Sequence, residues 1–175
     1  MWFAANGYDV AGVEYRPKLV DMARAISAEL RVDCRFDVAH AVDLSAHHGF
    51  DLALSFGVVE HWTRSDTVRA LREQAASARQ AVAIVPTPNT RYTGEITDER
   101  FYSRREMREI FVEAGLSNVA SYGYGAVPSR LYRTAEWLLP EQALKALRAW
   151  TLRFSMAHAA FGVAADLRRG HVRSS

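Results

Sequence analysis

One stretch near the start limits the fold more than any other: Gly7-Tyr-Asp-Val-Ala-Gly-Val-Glu14, followed by Tyr15-Arg-Pro-Lys-Leu-Val-Asp-Met-Ala-Arg-Ala25. It offers a turn glycine, a short apolar run ending on a carboxylate, and then Leu19, Val20, Met22, Ala23 and Ile26 at helical spacing. That order is half of a nucleotide-binding strand–helix–strand unit. A carboxylate at the carboxyl end of a strand in such a sheet can accept two hydrogen bonds from a ribose diol, and charge-assisted bonds are the stronger kind. Glu14 is placed to do this. The alternative is that Glu14 is a solvated residue at a strand end.

Around this stretch the pattern continues. Met1 to Asn6 reads as the end of a helix closed by Gly7, Tyr8 to Glu14 as a strand, and Pro17 to Glu29 or Leu30 as a helix with proline in its first turn. Asp33 to Asp37 reads as a short strand delivering Asp37 and Val38 to a loop. Phe50-Asp-Leu-Ala-Leu-Ser-Phe56 is apolar almost throughout, as a strand buried on both faces should be. A helix from Arg64 to Ala78 and a strand from Ala81 to Pro86 come next. This alternation predicts an α/β sheet with mostly parallel strands.

Thr87 to Arg100 is polar and reads as a long loop, a candidate lid. Ser103 with Glu106 forms a capping-box pattern that opens a helix running to Gly115, and Leu116 to Tyr122 reads as a strand. Leu131, Ala135, Leu138 and Leu139, then Glu141 to Phe154, recur at helical spacing. The stretch 161–168 reads as a strand or the end of that helix, with strand preferred. The expectation is one domain over 1–175: a core of sheet and helices over 1–125, a helical cover over 126–160, and the last strand.

Bulk properties narrow the function classes. The net charge is +2 and the arginines are scattered, which gives no basis for nucleic-acid binding. The single Cys34 has no partner for an internal disulfide or a cysteine metal cluster and fits a reducing, cytoplasmic setting. No start of signal-peptide type is present, and the apolar stretch from Ala149 to Ala165 carries Arg153 and His158 and makes a poor membrane span. No metal and no membrane are expected. His40, His47 and His48 sit in polar loops and read as solvent-facing, with His47 and His48 adjacent rather than spaced as two ligands on one helix face.

In this order and spacing the chain resembles the class I S-adenosylmethionine-dependent methyltransferases, in particular their small-molecule branch. The resemblance rests on the Gly7 to Ala25 unit, the Asp37-Val38 loop, Asp51-Leu-Ala-Leu-Ser-Phe-Gly-Val-Val-Glu-His61, and Phe101-Tyr-Ser-Arg-Arg-Glu-Met through Glu113-Ala-Gly-Leu116. It implies a Rossmann-like methyltransferase sheet with helices on both faces, S-adenosyl-L-methionine as methyl donor, and a small-molecule acceptor. It further implies that Glu14 binds the ribose hydroxyls, Asp37 accepts from the adenine amino group, and the Val38 backbone meets the ring. Ser55, Phe56 and Gly57 would form the wall beside the methionine part, with Glu60 and His61 at the pocket mouth. His61 is the nominated base, since its unperturbed pKa lies near neutrality; its alternative role is to cap and pack a helix entry.

The chain also departs from the family pattern. No Gly-x-Gly run precedes Gly7, and the later Gly123-Tyr-Gly125 does not open a helix. The family's glycine-rich loop approaches the amino-acid end of the donor, and its strand lies between those ending at Glu14 and Ser55. The expectation is an N-terminally incomplete sheet that leaves two strands with open edges, completed by further sequence or by a partner, including a second copy. The competing readings are a non-catalytic methyltransferase-like subunit that does not bind the donor by itself, and, more weakly, an oxidoreductase fragment that binds nicotinamide. The aromatics Tyr92, Phe101, Tyr102, Tyr122 and Tyr124 would cover a hydrophobic or ring-bearing acceptor, or else belong to the core.

Overall fold

The computed structural model describes residues 1–88, 100–125, 127, 129–154, 156, 158 and 160–167. Most of the expected lid, including Tyr92, lies outside the described residues, as do Pro128 and the end of the expected last strand at Arg168. The chain divides into two compact units, Met1–His47 and His48–Ser175.

The first unit contains α1 (Trp2–Ala5), β1 (Ala11–Glu14), α2 (Pro17–Leu30) and β2 (Arg35–Val38). β1 and β2 pair in parallel, with Val13 opposite Asp37 and Glu14 opposite Val38. α2 begins at Pro17, whose missing N–H and fixed φ suit the first turn. It ends on Arg31 in the left-handed region, where Val32 N donates to Ser27 O at 3.1 Å and the Ser27 hydroxyl donates to Val32 O at 2.6 Å. The predicted helix ends at both sites are therefore present. The first strand is shorter than read, since Tyr8, Asp9 and Val10 precede it.

The second unit contains β3 (Phe50–Phe56), a single 3₁₀ turn (Val59–His61), α3 (Arg64–Ser77), β4 (Ala78–Pro86), α4 (Arg104–Glu113), β5 (Leu116–Tyr124), α5 (Arg130–Leu138), α6 (Glu141–Thr151) and β6 (Ala160–Leu167). Its sheet has the order β3-β4-β6-β5. β3 and β4 are parallel, and β6 inserts antiparallel between β4 and β5. The terminal stretch is thus a strand, as preferred, and the parallel character belongs to the earlier pairings. Thr63 and Ser103 cap α3 and α4 by accepting from the amides of Asp66 and Glu106.

The core lies on one face of this sheet. Ala81, Ala83 and Val85 of β4 and Phe161, Val163 and Ala165 of β6 alternate toward Val68, Leu71 and Ala75 of α3 and Met107, Ile110 and Phe111 of α4. The period of two in the strands meets a spacing of three and four in the helices, so each element buries one side. Tyr102 belongs to this core, 1% exposed, with its hydroxyl within 3.2 Å of Thr67 Oγ1. Its place is structural rather than in an acceptor cover.

β3 corrects the sequence reading. It was expected to be buried on both faces, yet Leu52, Leu54 and Phe56 are 43%, 47% and 57% exposed. β3 is an edge strand with β4 as its only neighbour among the described residues, and α3 packs on the side of Ala53 and Ser55. Among the described residues β1 likewise has only β2 beside it. These are the two open edges that the sequence led one to expect. Among the described residues no helix is long and apolar enough to cross a membrane.

Candidate functional site

In the first unit, strand register brings three predicted residues together. Glu14 and Val38 are the last residues of β1 and β2 and lie opposite one another, with Asp37 one step back. Parallel pairing aligns the carboxyl ends of both strands, where ligands of open α/β sheets collect. Glu14 is half-buried and Val38 is exposed.

Each carboxylate is held by a neighbour to which the sequence reading gave no role at this site. Arg16 donates to Glu14 Oε1 from its backbone N at 3.0 Å and from Nε at 2.9 Å. The Arg16 side-chain hydrogen bond is the main reason the Glu14 carboxyl is held below its ordinary value of 4.5. Oε2 stands 3.5 Å from Arg16 Nη2, so most of its accepting capacity remains open. Asp37 Oδ2 lies 3.1 Å from His47 Nε2. His47 is therefore not the solvent-facing loop residue expected, because its ring is largely covered and tied to Asp37. Ten residues separate the pair, and no local pattern announces such a contact. The Arg16 contact was within reach of sequence reasoning, since a cation two residues past a strand-end carboxylate can fold back onto it.

In the second unit, Ser55, Phe56 and Gly57 end β3. Ser55 is buried, and its Oγ has no hydrogen-bond partner among the described residues. Such an orphaned hydroxyl costs about 1–3 kcal/mol, and a polar ligand atom would relieve it. Phe56 points to the opposite, exposed face and meets Tyr124 edge-on at 5.3 Å between centroids. Gly57 turns the chain at φ 64°, and its N donates to Ile84 O at 3.2 Å. A side chain there would be strained, which accounts for glycine at the exit of the strand.

The 3₁₀ turn then separates Glu60 from His61. Glu60 is 1% exposed rather than at a mouth, and its carbonyl accepts from Arg100 N at 2.9 Å. His61 is exposed at the end of the turn. Phe101 and Tyr124 are exposed, whereas Tyr122 is half-buried with its hydroxyl pKa pushed up, mainly by burial.

Comparison with known proteins shows what this arrangement is similar to. Residues 1–80 match the model of the family described as a methyltransferase domain. No curated protein matches. Among solved structures, magnesium protoporphyrin IX methyltransferase (ChlM) from Synechocystis PCC 6803 with bound SAM is similar, with TM-score 0.62 and 14% identity over 94% of this chain. Mitomycin 7-O-methyltransferase MmcR gives TM-score 0.64 and 16% identity over 93% of this chain and 42% of its own. The cyclase SpnF gives TM-score 0.62 and 15% identity over 95% of this chain and 68% of its own. The chain spans 62% of the length of the magnesium protoporphyrin enzyme. Since a cyclase shares the fold, the fold alone does not fix the reaction. Residues 1–80 therefore match a methyltransferase domain, and the chain as a whole has the Rossmann-like fold of S-adenosylmethionine-dependent methyltransferases.

Proposed function

We propose that this chain takes part in S-adenosylmethionine-dependent methyl transfer to a small-molecule acceptor. The observation that carries the reading is the register of β1 and β2, which sets Glu14 beside Val38 and next to Asp37 at aligned strand ends. The residue types suit an adenosine. Glu14 keeps an open carboxylate oxygen for a ribose diol, Asp37 can accept from an exocyclic amine through Oδ1, and the Val38 backbone can lie along a planar base. Arg16 and His47 act as positioning residues that fix the two carboxylates.

The donor, when bound, supplies an electrophilic methyl group on a sulfonium. This chain's own contribution is binding and orientation, which can provide much of the acceleration for a displacement of this kind. The resemblance gives Ser55, Phe56 and Gly57 of the second unit to the methionine part, and the orphaned hydroxyl of Ser55 suits a polar ligand atom. His61 takes the proton from an acceptor that must lose one. Similar structures named for magnesium protoporphyrin IX and mitomycin support a small, ring-bearing acceptor, and the exposed pair of Phe56 and Tyr124 offers an aromatic surface of the same character.

Calorimetric titration with S-adenosylhomocysteine tests the donor part. Saturable binding is expected, weakened at least about tenfold in Glu14→Ala, the loss that accompanies one charge-assisted hydrogen bond. Binding that Glu14→Ala leaves unchanged would overturn the ribose assignment. Absence of saturable binding would favour the non-catalytic reading for this chain.

A further inference from the structure

We infer that the outer side of α4 and β5 forms a second ligand site, one for a phosphate-bearing small molecule. A groove of about 490 Å³ lies there, lined by Arg104, Arg105, Arg108, Val119, Ala120 and Ser121. Its size is within the range of small-molecule sites. All of its lining residues belong to the second unit, and none is used in the methyl-transfer reading.

The charges lining the groove have one sign. Arg104 and Arg105 open α4, the end of a helix where cations are disfavoured, and Arg108 lies one turn beyond Arg104, where like charges repel. Ser103 already caps this end by accepting from Glu106 N, so the groove is a side-chain site rather than a bare helix terminus. Glu109 offsets Arg105 at 2.8 Å, but no carboxylate lines the groove, and Arg108 has no acidic partner among the described residues. Three cations gathered against these local preferences are stabilised by an anion.

The donors are also arranged for one. Arg104 Nε donates to Ser121 Oγ at 2.9 Å, which fixes the guanidinium and leaves its terminal nitrogens for a ligand. With its oxygen accepting from Arg104, the Ser121 hydroxyl still has its own proton to donate. The planar fork of arginine matches phosphate geometry through paired bonds. Val119, which packs against the core, and Ala120 supply an apolar floor, so an organic phosphate fits better than the bare ion.

Titration of the whole chain with phenyl phosphate at low, constant ionic strength tests this site. One saturable site is expected. Arg108→Gln should weaken it at least about tenfold, Ser121→Ala by less, and Arg69→Gln, an exposed change elsewhere on the chain, should have no effect. Inorganic phosphate should bind more weakly than phenyl phosphate. Failure to saturate, or equal weakening by Arg69→Gln, would overturn the site by showing only diffuse attraction to positive charge. Equal affinity for the two phosphates would overturn the organic part of the ligand. S-adenosylhomocysteine is absent throughout, so the result does not depend on donor binding.

Discussion

Residues 1–47 and 48–175 share the alternation of strand and helix but bury it to different depths. In the first unit only Val20, Ser27 and Leu44 are buried, and the strands form one pair. In the second, four strands carry a continuous core under α3 and α4, with Leu71, Met107, Ile110 and Phe111 fully enclosed. The candidate ribose and adenine residues thus stand on the thinly packed unit. Their geometry depends on polar ties such as Arg16 to Glu14, His47 to Asp37 and Arg35 to Asp9. Such exposed pairs contribute little to stability, because water screens them, but they orient side chains. The difference teaches that stability and the geometry of the candidate site are carried by different kinds of interaction.

The sharpest way to break this contrast is a pair of truncations. Phe111→Ala should lower the unfolding free energy by about 3–5 kcal/mol, because a buried ring is lost and a cavity remains. Met22→Ala, at an exposed position of α2, should change it by less than about 0.5 kcal/mol. Similar losses for both in denaturant titrations would show that the first unit is packed as deeply as the second.

A smaller effect tests close packing at the end of β5. A β-carbon at Gly123 would run into the ring of His158, which is 3% exposed and lies 2.9 Å from Gly125 O and 3.0 Å from Thr151 O. Gly123→Ala should cost about 1–3 kcal/mol, read as a lowered denaturation midpoint, since ring and backbone must both shift. An unchanged midpoint would mean that this corner is not tightly fitted.

The smallest effect concerns the polar ties of the first unit. Glu14 should titrate below 4.5, and Arg16→Ala should raise it toward that value, as followed by NMR of its side-chain carbonyl carbon. Because the folded-state pKa is the lower one, the stabilisation from this pair is fully present above the unfolded value of 4.5. It is lost as pH falls through the folded-state value. The stability difference between the wild type and Arg16→Ala should therefore shrink below pH 4.5. An unmoved Glu14 pKa in Arg16→Ala would break the assignment of Arg16 as its positioning residue.

The sequence determined by itself those features that depend on neighbours along the chain. Pro17 at the start of α2, Ser103 at the cap of α4, Gly115 just past its end, and the alternation that makes an α/β fold are all local preferences of backbone and side chain. Placing Glu14 and Asp37 at strand ends was legible for the same reason. Tertiary structure alone decided which face of β3 is covered, because a period of two shows that two faces exist but not what lies against each. It also decided that Tyr102 is core, that His47 reaches Asp37 across ten residues, and that β6 enters between β4 and β5. These outcomes depend on contacts between residues far apart in the chain, which periodicity and motif spacing do not encode.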